Sequence, residues 1–563
     1  MCIYKLKRSI KHLYSQETAA EDEIWWKNCV IYQIYPRSFQ DSDGDGVGDL
    51  PGIMNRLDYL QELGIDAIWL SPIYPSPMVD FGYDVAEYCD VDPLFGSLET
   101  FDRLLAGAHD RGLKVILDYV PNHTSSEHPW FIESRSSRNN AKRDWYIWQD
   151  ARENGEPPNN WVSFFGGSAW TWDSQTEQYY LHLFSNKQPD LNWHNPQVVE
   201  AMHDALRFWL DRGVDGFRMD AVTMLIKHAE MPDMPRADGL LGAELLQKHI
   251  YVHNQPEVHD LIRGFRQLFD GYNDRRVIIG ETGDLDPTRL VSFYGRNLDE
   301  MHLPFNFIPM HMPWQADVMK RVVTDYYAAL PTGAVPNFVF GNHDISRLAT
   351  RYGLANHRSV GMLLLTLGGV ATLYYGDELG MEDSIVPQEQ MQDLMTRDFS
   401  GSEPGRDPVR TPMQWSAEVH GSFTAGDSAP WLPLAGSYQT VNVVNQAGDP
   451  KSTLKFYQSL IALRQRLPAL RHGSLAIVED APEEALVYLR QYNEQRLLII
   501  INFTGSEFTL DLSGLAQGAV LQLSSLFTPM EVINITRVAV KAHESLLLQL
   551  DKEKDHMIRF KAV

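Results

Sequence analysis

The chain has 563 residues, long for a single core and suited to two or three domains. Its composition, 44% hydrophobic, 11% aromatic and 22% charged, excludes a disordered or fibrous chain. A formal net charge of −25 argues against nucleic acid or an anionic membrane as the main partner. From the N-terminus, Met1 to Gln16 carries Lys5, Lys7, Arg8 and Lys11 but no unbroken apolar stretch, so it does not read as a secretory signal. Ile3, Leu6, Ile10 and Leu13 are spaced for a short amphipathic helix, the alternative being a frayed extension over 1–23. No run of eighteen apolar residues occurs, so no membrane span is predicted and the expected location is cytoplasmic. Cys2, Cys29 and Cys89 lack the spacing of a zinc site or a disulfide framework.

The first apolar run, Val30–Tyr35, is followed by Asp41-Ser42-Asp43-Gly44-Asp45-Gly46-Val47-Gly48-Asp49. Oxygens from Asp41, Asp43, Asp45, the Val47 backbone and Asp49, with glycine at the sixth position, match the first part of an EF-hand loop. Gly52 stands where an EF-hand has glutamate, so the loop departs from that motif. A structural Ca²⁺ or Mg²⁺ is predicted, with a bare acidic turn as the alternative.

Seven further runs follow: Ala67–Leu70, Val115–Val120, Gly216–Asp220, Val277–Glu281, Leu303–Phe307, Phe338–Asp344 and Val370–Asp377. Amphipathic segments such as Ile53–Leu63, Leu98–Arg111 and Val198–Arg212 lie between them, stopped by Gly64, Gly112 and Gly213 as left-handed caps. Strands alternating with helices imply parallel pairing, and eight such units predict a closed (β/α)₈ TIM barrel. An open doubly wound sheet is the alternative, but no glycine-rich phosphate loop opens the first helix. The aromatic-rich interval 123–190 is too long for a loop and predicts a subdomain inserted after the third strand. The barrel then covers 24–122 and 191–454. Short alternating runs over 455–563 predict a C-terminal antiparallel β-sandwich.

In such a barrel, catalytic groups sit where strands end. Those ends deliver His123, Arg218 with Asp220, Glu281, and His343 with Asp344 to one face. Arg218 and Asp220 are two residues apart, so they share a face, and the guanidinium is expected to keep Asp220 ionised. An acid at a strand end is usually a helix cap. Three acids with matching histidine and arginine partners are seldom all caps, which points to a catalytic constellation.

Asp118-Tyr119-Val120-Pro121-Asn122-His123, Gly216–Asp220, Gly280-Glu281 and Phe340–Asp344 resemble four signature regions of the α-amylase family of glycoside hydrolases. Gln188-Pro189-Asp190-Leu191-Asn192 resembles a fifth, and Gly405–Trp415, with Arg410-Thr411-Pro412, resembles a signature of its α-glucosidase and oligo-1,6-glucosidase branch. The resemblance implies a retaining, exo-acting hydrolase of short α-glucosides that needs no catalytic cofactor. Asp220 would be the nucleophile, Glu281 the general acid/base and Asp344 the transition-state stabiliser. His123 and His343 would bond sugar hydroxyls, Tyr83 would stack under the ring, and Phe184 would line the pocket. Asp80 would pair with Arg410 to close the pocket around a terminal glucose. Ala221, after the nucleophile, tilts the expected linkage toward α-1,4, because valine there accompanies α-1,6 activity in the resembling enzymes. The implied partner is a small sugar, with a monomer or homodimer as the assembly. A transglucosylase or isomerase is the second reading; Asn297-Leu298-Asp299-Glu300 lacks the arginines of the sucrose-isomerase loop. A non-catalytic transporter heavy chain is a remote third, since it needs a membrane span.

Overall fold

Two short strands, β1 (Ile3–Lys5) and β2 (Ile10–Tyr14), precede the first barrel strand in a computed structural model that describes residues 3–6, 10–14, 24–235, 245, 248–272, 275–397, 405–425, 428–529 and 532–551. These strands correct the expectation of an amphipathic helix or a frayed end for this segment. β-branched and aromatic residues meet unpaired sheet edges far along the chain, and edge pairing overrides the weak helical spacing. Leu6 is buried in the core those sheets enclose. The rest of the 1–23 segment lies outside the described residues, as do 552–563 at the other end.

The barrel begins with β3 (Val30–Ile34), β4 (Ala67–Leu70) and β5 (Lys114–Tyr119). Three short strands then form an antiparallel sheet of their own: β6 (Trp148–Gln149), β7 (Trp170–Asp173) and β8 (Gln178–Leu181), in the order β6-β8-β7. The barrel resumes with β9 (Gly216–Met219), β10 (Val277–Gly280), β11 (Leu303–Pro304), β12 (Asn337–Val339) and β13 (Val370–Tyr374). All eight barrel strands pair in parallel in the order β11-β10-β9-β5-β4-β3-β13-β12, and a parallel bridge between Asn306 and Phe338 joins the two ends. This is the (β/α)₈ barrel that the alternation predicts. Nearly every residue of these strands is buried, which is why they read as continuous apolar runs rather than alternating ones.

Helices Leu57–Leu63, Leu98–Asp110, Pro196–Arg212, Val258–Asp270, Ala316–Ala329 and Leu354–Thr366 cover the barrel. Gly64, Gly112 and Gly213 have φ of 88°, 76° and 106°, as their capping roles require. The helix expected over Ile53–Leu63 is two helices, because the first ends at Met54 and a new one starts at Leu57. Gly216 permits β9 and β10 to approach: a Cβ there would lie 2.3 Å from a Val277 methyl.

The inserted sheet packs through Trp161, Phe164, Trp170 and Leu183 onto Ala221 and Met224, just past β9. It therefore stands beside the end of the strand that carries Asp220. After the helix Thr453–Arg466, eight strands follow: β14 (Ser474–Val478), β15 (Ala485–Tyr492), β16 (Gln495–Asn502), β17 (Phe508–Asp511), β18 (Ala519–Ser524), β19 (Val532–Ile533), β20 (Val538–Val540) and β21 (Ser545–Leu550). They build a seven-stranded sheet, β19-β18-β21-β16-β15-β14-β2, and a three-stranded sheet, β1-β17-β20. Among the described residues of these two sheets, only β1 runs parallel to its neighbour. Among the described residues no helix is long and apolar enough to cross a membrane.

Candidate active site

β5, β9 and β10 run side by side with Asp118 and Ile279 in register with Arg218. Past the last paired residues the ladder continues: the Asp220 amide donates to the Tyr119 carbonyl at 2.8 Å, and the Glu281 amide to the Met219 carbonyl at 3.0 Å. Three carboxylates from three adjacent strands therefore converge on one guanidinium. Arg218 Nη1 donates to Asp118 Oδ1 at 2.7 Å and to Asp220 Oδ1 at 2.8 Å, while Nη2 donates to Glu281 Oε2 at 2.6 Å. The Glu281 side chain is 21% exposed and that of Asp220 11%, but that of Asp118 is sealed at 0%. Asp118 is thus a buried partner of the cluster, and only the other two can meet a ligand. Its second oxygen accepts from Trp69 Nε1 at 3.2 Å and the Tyr83 hydroxyl at 3.0 Å.

The expectation that Arg218 holds Asp220 at a low pKa does not survive. Burial pushes the Asp220 carboxyl well above the usual carboxylate range; Arg218 opposes this, but Glu281, Asp118 and Asp344 add their negative fields. Asp118 is likewise pushed up to about 6 by burial against the pull of Arg218. One cation shared among three acids does not balance them, so the three carboxyls together favour holding one proton.

Ala221 follows with φ of 45°, a left-handed backbone unusual for a residue with a side chain. That turn aims its amide at Glu281 Oε2, 3.1 Å away. Glu281 Oε2 thus receives two N–H donors, and among the described residues Oε1 receives none.

Asp344 projects beyond β12, its amide donating to Asn342 Oδ1. Its Oδ1 accepts from Arg410 Nη2 at 2.8 Å and lies 3.5 Å from Arg406 Nη1. Burial works upward on this carboxyl, but His343, 3.3 Å from its Oδ2, and then Arg410, Arg406 and Arg218 outweigh it and hold it well below the usual range. Burial drives His343 well below its ordinary value, so the imidazole is neutral and the arginines keep Asp344 ionised. His343 Nε2 lies 2.7 Å from the Tyr83 hydroxyl, and the two rings are parallel at 5.3 Å between centroids.

The predicted Asp80–Arg410 pair is not formed. Asp80 Oδ1 accepts from Arg406 Nη2 at 2.7 Å, and Arg410 turns instead to Asp344 and to the His343 carbonyl. Arg406 stands just before the turn Asp407–Val409 and Arg410 just after it, so the turn sends the two guanidinia to different acids. Asp393 anchors Arg406 from behind at 2.7 Å, and Gln188 Nε2 donates to Asp80 Oδ2 at 3.1 Å. His123 is buried beside them, with Nε2 3.1 Å from the Tyr83 carbonyl and Phe184 packed at 5.1 Å; burial lowers its pKa. The structure therefore brings together Asp80, Tyr83, His123, Phe184, Arg218, Asp220, Ala221, Glu281, His343, Asp344 and Arg410.

Sequence reasoning gave no role to Arg406, Asp393, Gln188, Asp118 or Lys227. Lys227 is fully buried and joins Asp190 Oδ2 and Asn122 Oδ1, each at 2.8 Å, tying the inserted segment to the β5 and β9 loops. Asp118, Gln188 and Asp190 stand inside the motifs already quoted, and that is the signal by which they could have been found.

The acidic loop lies after β3. Ligand oxygens of Asp41, Asp43 and Asp49 fall within 4.8 Å of one another. Asp41 Oδ1 also accepts from the amides of Asp43 and Gly44, and Asp45 Oδ1 from Val47. Clustered carboxylate oxygens on a tightly turned loop fit a hard divalent cation. Asp49 serves a second purpose, capping the helix Leu50–Met54 through Gly52.

Comparison with known proteins agrees with this geometry. The family description "Alpha amylase, catalytic domain" matches residues 33–473. A probable alpha-glucosidase of Rhizobium meliloti is 42% identical over 510 residues, covering 87% of this chain and 91% of that protein. An oligo-1,6-glucosidase of Parageobacillus thermoglucosidasius is 37% identical, covering 86% and 91%. Among solved structures, an alpha-glucosyl transfer enzyme, XgtA, superposes with a TM-score of 0.87 at 40% identity, covering 94% of this chain and all of the other. With its signature acids gathered at one barrel mouth, the chain belongs to the alpha-amylase family of glycoside hydrolases, on the branch of the α-glucosidases and oligo-1,6-glucosidases.

Proposed function

We propose that the protein is a retaining, exo-acting α-glucosidase that removes glucose from the non-reducing end of short α-1,4-linked glucosides. The observation that carries this reading is the sharing of one guanidinium by Asp220 and Glu281. Two carboxyls on one planar group stay close, in keeping with the roughly 5–5.5 Å of retaining enzymes rather than the wider gap that admits a water between them. With the one proton of the cluster held by Glu281, Asp220 is left ionised and attacks the anomeric carbon as Glu281 protonates the departing oxygen. Glu281 Oε2 is taken up by Arg218 and Ala221, so the transferred proton resides on Oε1. Water, deprotonated by the same oxygen, then attacks the anomeric carbon and frees Asp220. Asp344, kept ionised by Arg410, stabilises the positive charge that develops on the sugar.

Asp80 with Arg406, and Asp344 with Arg410, form two charged pairs suited to gripping hydroxyls of one terminal glucose. They supply the closed end that exo action requires. The small Ala221 side chain supports the α-1,4 preference. A divalent cation held by Asp41, Asp43 and Asp49, with Asp45 and the Val47 carbonyl contributing, would be structural. It would brace the loop that leads into the helix Leu50–Met54 and take no part in the chemistry.

Purified protein offered maltose, isomaltose, sucrose and a nitrophenyl α-glucoside, with products followed by chromatography and the first-formed anomer by NMR, tests this. Glucose released first as the α-anomer, with maltose preferred, is expected. No glucose from any of them, or β-glucose first, rejects the reading. Asp220→Asn should lower kcat by about 10⁴-fold or more with the fold intact. Similarity to an alpha-glucosyl transfer enzyme favours one second reading, in which a sugar replaces water as acceptor. Oligosaccharides longer than the substrate, accumulating at high maltose, distinguish it.

A further inference from the structure

We propose that Gln33 is a positioning residue that sets the tautomer of His343 and, through it, the direction of the hydrogen-bond chain reaching the catalytic carboxylates. Gln33 is the fourth of the five residues of β3, wholly buried inside the barrel. Its Nε2 is 2.8 Å from His343 Nδ1 and 3.3 Å from Ser71 Oγ, so both N–H groups of the amide find acceptors. With the amide in this orientation, which leaves its Oε1 buried without a partner, the nitrogen donates and Nδ1 accepts. A neutral imidazole carries one ring proton, and it is therefore on Nε2.

The consequence runs along a continuous chain. Nε2–H faces the Tyr83 hydroxyl at 2.7 Å and Asp344 Oδ2 at 3.3 Å, both able to accept. Tyr83, accepting from the imidazole, gives its own proton to Asp118 Oδ2 at 3.0 Å. Asp118 then accepts from Trp69, Tyr83 and Arg218 and remains a pure acceptor. Arg218 links it to Asp220 and Glu281. With the proton on Nδ1 instead, a bare nitrogen lone pair would face Asp344 Oδ2. Tyr83 would have to donate to Nε2, and Asp118 would lose a donor. Groups of both signs face this ring: Tyr35 from the end of β3, Tyr83 past β4, Arg218 on β9, Asp344 beside it, and Arg406 with Arg410 past β13. None of these touches Nδ1 in the described structure, whereas Gln33 does.

Gln33→Glu replaces the donor by an acceptor of the same shape, and Gln33→Met removes it at similar length. Histidine-selective ¹⁵N spectra of the full chain read the tautomer, with the His343 signals identified by their loss in His343→Asn. The expected result is a protonated Nε2 and a bare Nδ1 in the unaltered protein, and a protonated Nδ1 in Gln33→Glu. The activity arm rests on the hydrolase reading: kcat/KM on a nitrophenyl α-glucoside should fall on the order of ten- to a hundredfold in Gln33→Glu, the worth of one hydrogen bond to a charged group. Gln33→Met should fall between the two, and it carries the test should the glutamate variant not fold. A bare Nε2 in the unaltered protein overturns the proposal. So does a foldable variant whose His343 spectrum or kcat/KM matches the original. Should the protein hydrolyse no α-glucoside at all, the functional reading fails while the spectra still decide the tautomer.

Discussion

Arg406 Nη2 meets Asp80 Oδ1 at 2.7 Å, while Arg410, four residues on, meets Asp344 at 2.8 Å. The two arginines of one motif thus serve two different carboxylates. A double-mutant cycle on kcat/KM separates them. Asp80→Asn with Arg406→Gln should show a coupling of about 1.5–3 kcal/mol, and Asp80→Asn with Arg410→Gln a distinctly smaller one. Equal couplings would return Arg410 to the role that sequence reasoning gave it.

Ala221 combines a left-handed backbone with a contact to Glu281. Ala221→Val should raise the isomaltose-to-maltose ratio of kcat/KM by about tenfold, the scale of a methyl-sized change in a pocket. It should also lower stability by about 1 kcal/mol, because a β-branched side chain tolerates positive φ poorly. Thermal melts and paired kinetics report both; an unchanged ratio would remove residue 221 from linkage choice.

Asp377 lies outside the site and gives a pH signature. It is fully enclosed after β13, where its Oδ2 accepts from the Tyr374 amide, and burial pushes its carboxyl up to about 7. The folded state therefore binds this proton more tightly than the unfolded state, whose carboxyl titrates near 4. The stabilisation is complete at low pH and is lost as pH rises from about 4 through about 7. Asp377→Asn should narrow the difference in Tm between pH 5 and pH 8. Identical pH dependence in the two proteins would exclude a raised pKa at this position.

Chelation tests the acidic loop. EDTA should lower Tm by a few degrees and leave kcat at 25 °C unchanged, and added Ca²⁺ or Mg²⁺ should restore it. Asp43→Asn should abolish this sensitivity. A melting curve indifferent to chelator and cation would leave the loop as an acidic turn.

The barrel and its acids were legible because strands buried on both sides leave long apolar runs, and polar residues at their ends stand out. Asp220 and Glu281 were found that way. Pairings made across the barrel were not legible. Arg406 and Arg410 are equal candidates in sequence, and only the turn Asp407–Val409 separates their directions. The state of Asp220 was misjudged because spacing shows Arg218 beside it but not that Asp118 and Glu281 draw on the same guanidinium. Gln33 was hidden as one polar residue in an apolar run, since its meaning depends on a loop from the opposite end of the barrel sequence. For β1 and β2, spacing favoured a helix because the edges that claim them belong to strands made after the whole barrel.

That pairing has a consequence for biosynthesis. Ile10 is the register partner of Val478, and Ile3 of Thr509. During translation β1 and β2 emerge ahead of the barrel, yet the edges that complete them are synthesised only after it. Until then their backbone groups remain open to any passing strand, including another nascent copy. Closing this long loop is a late step of maturation, and the C-terminal sheets finish folding only when the two ends of the described chain have met.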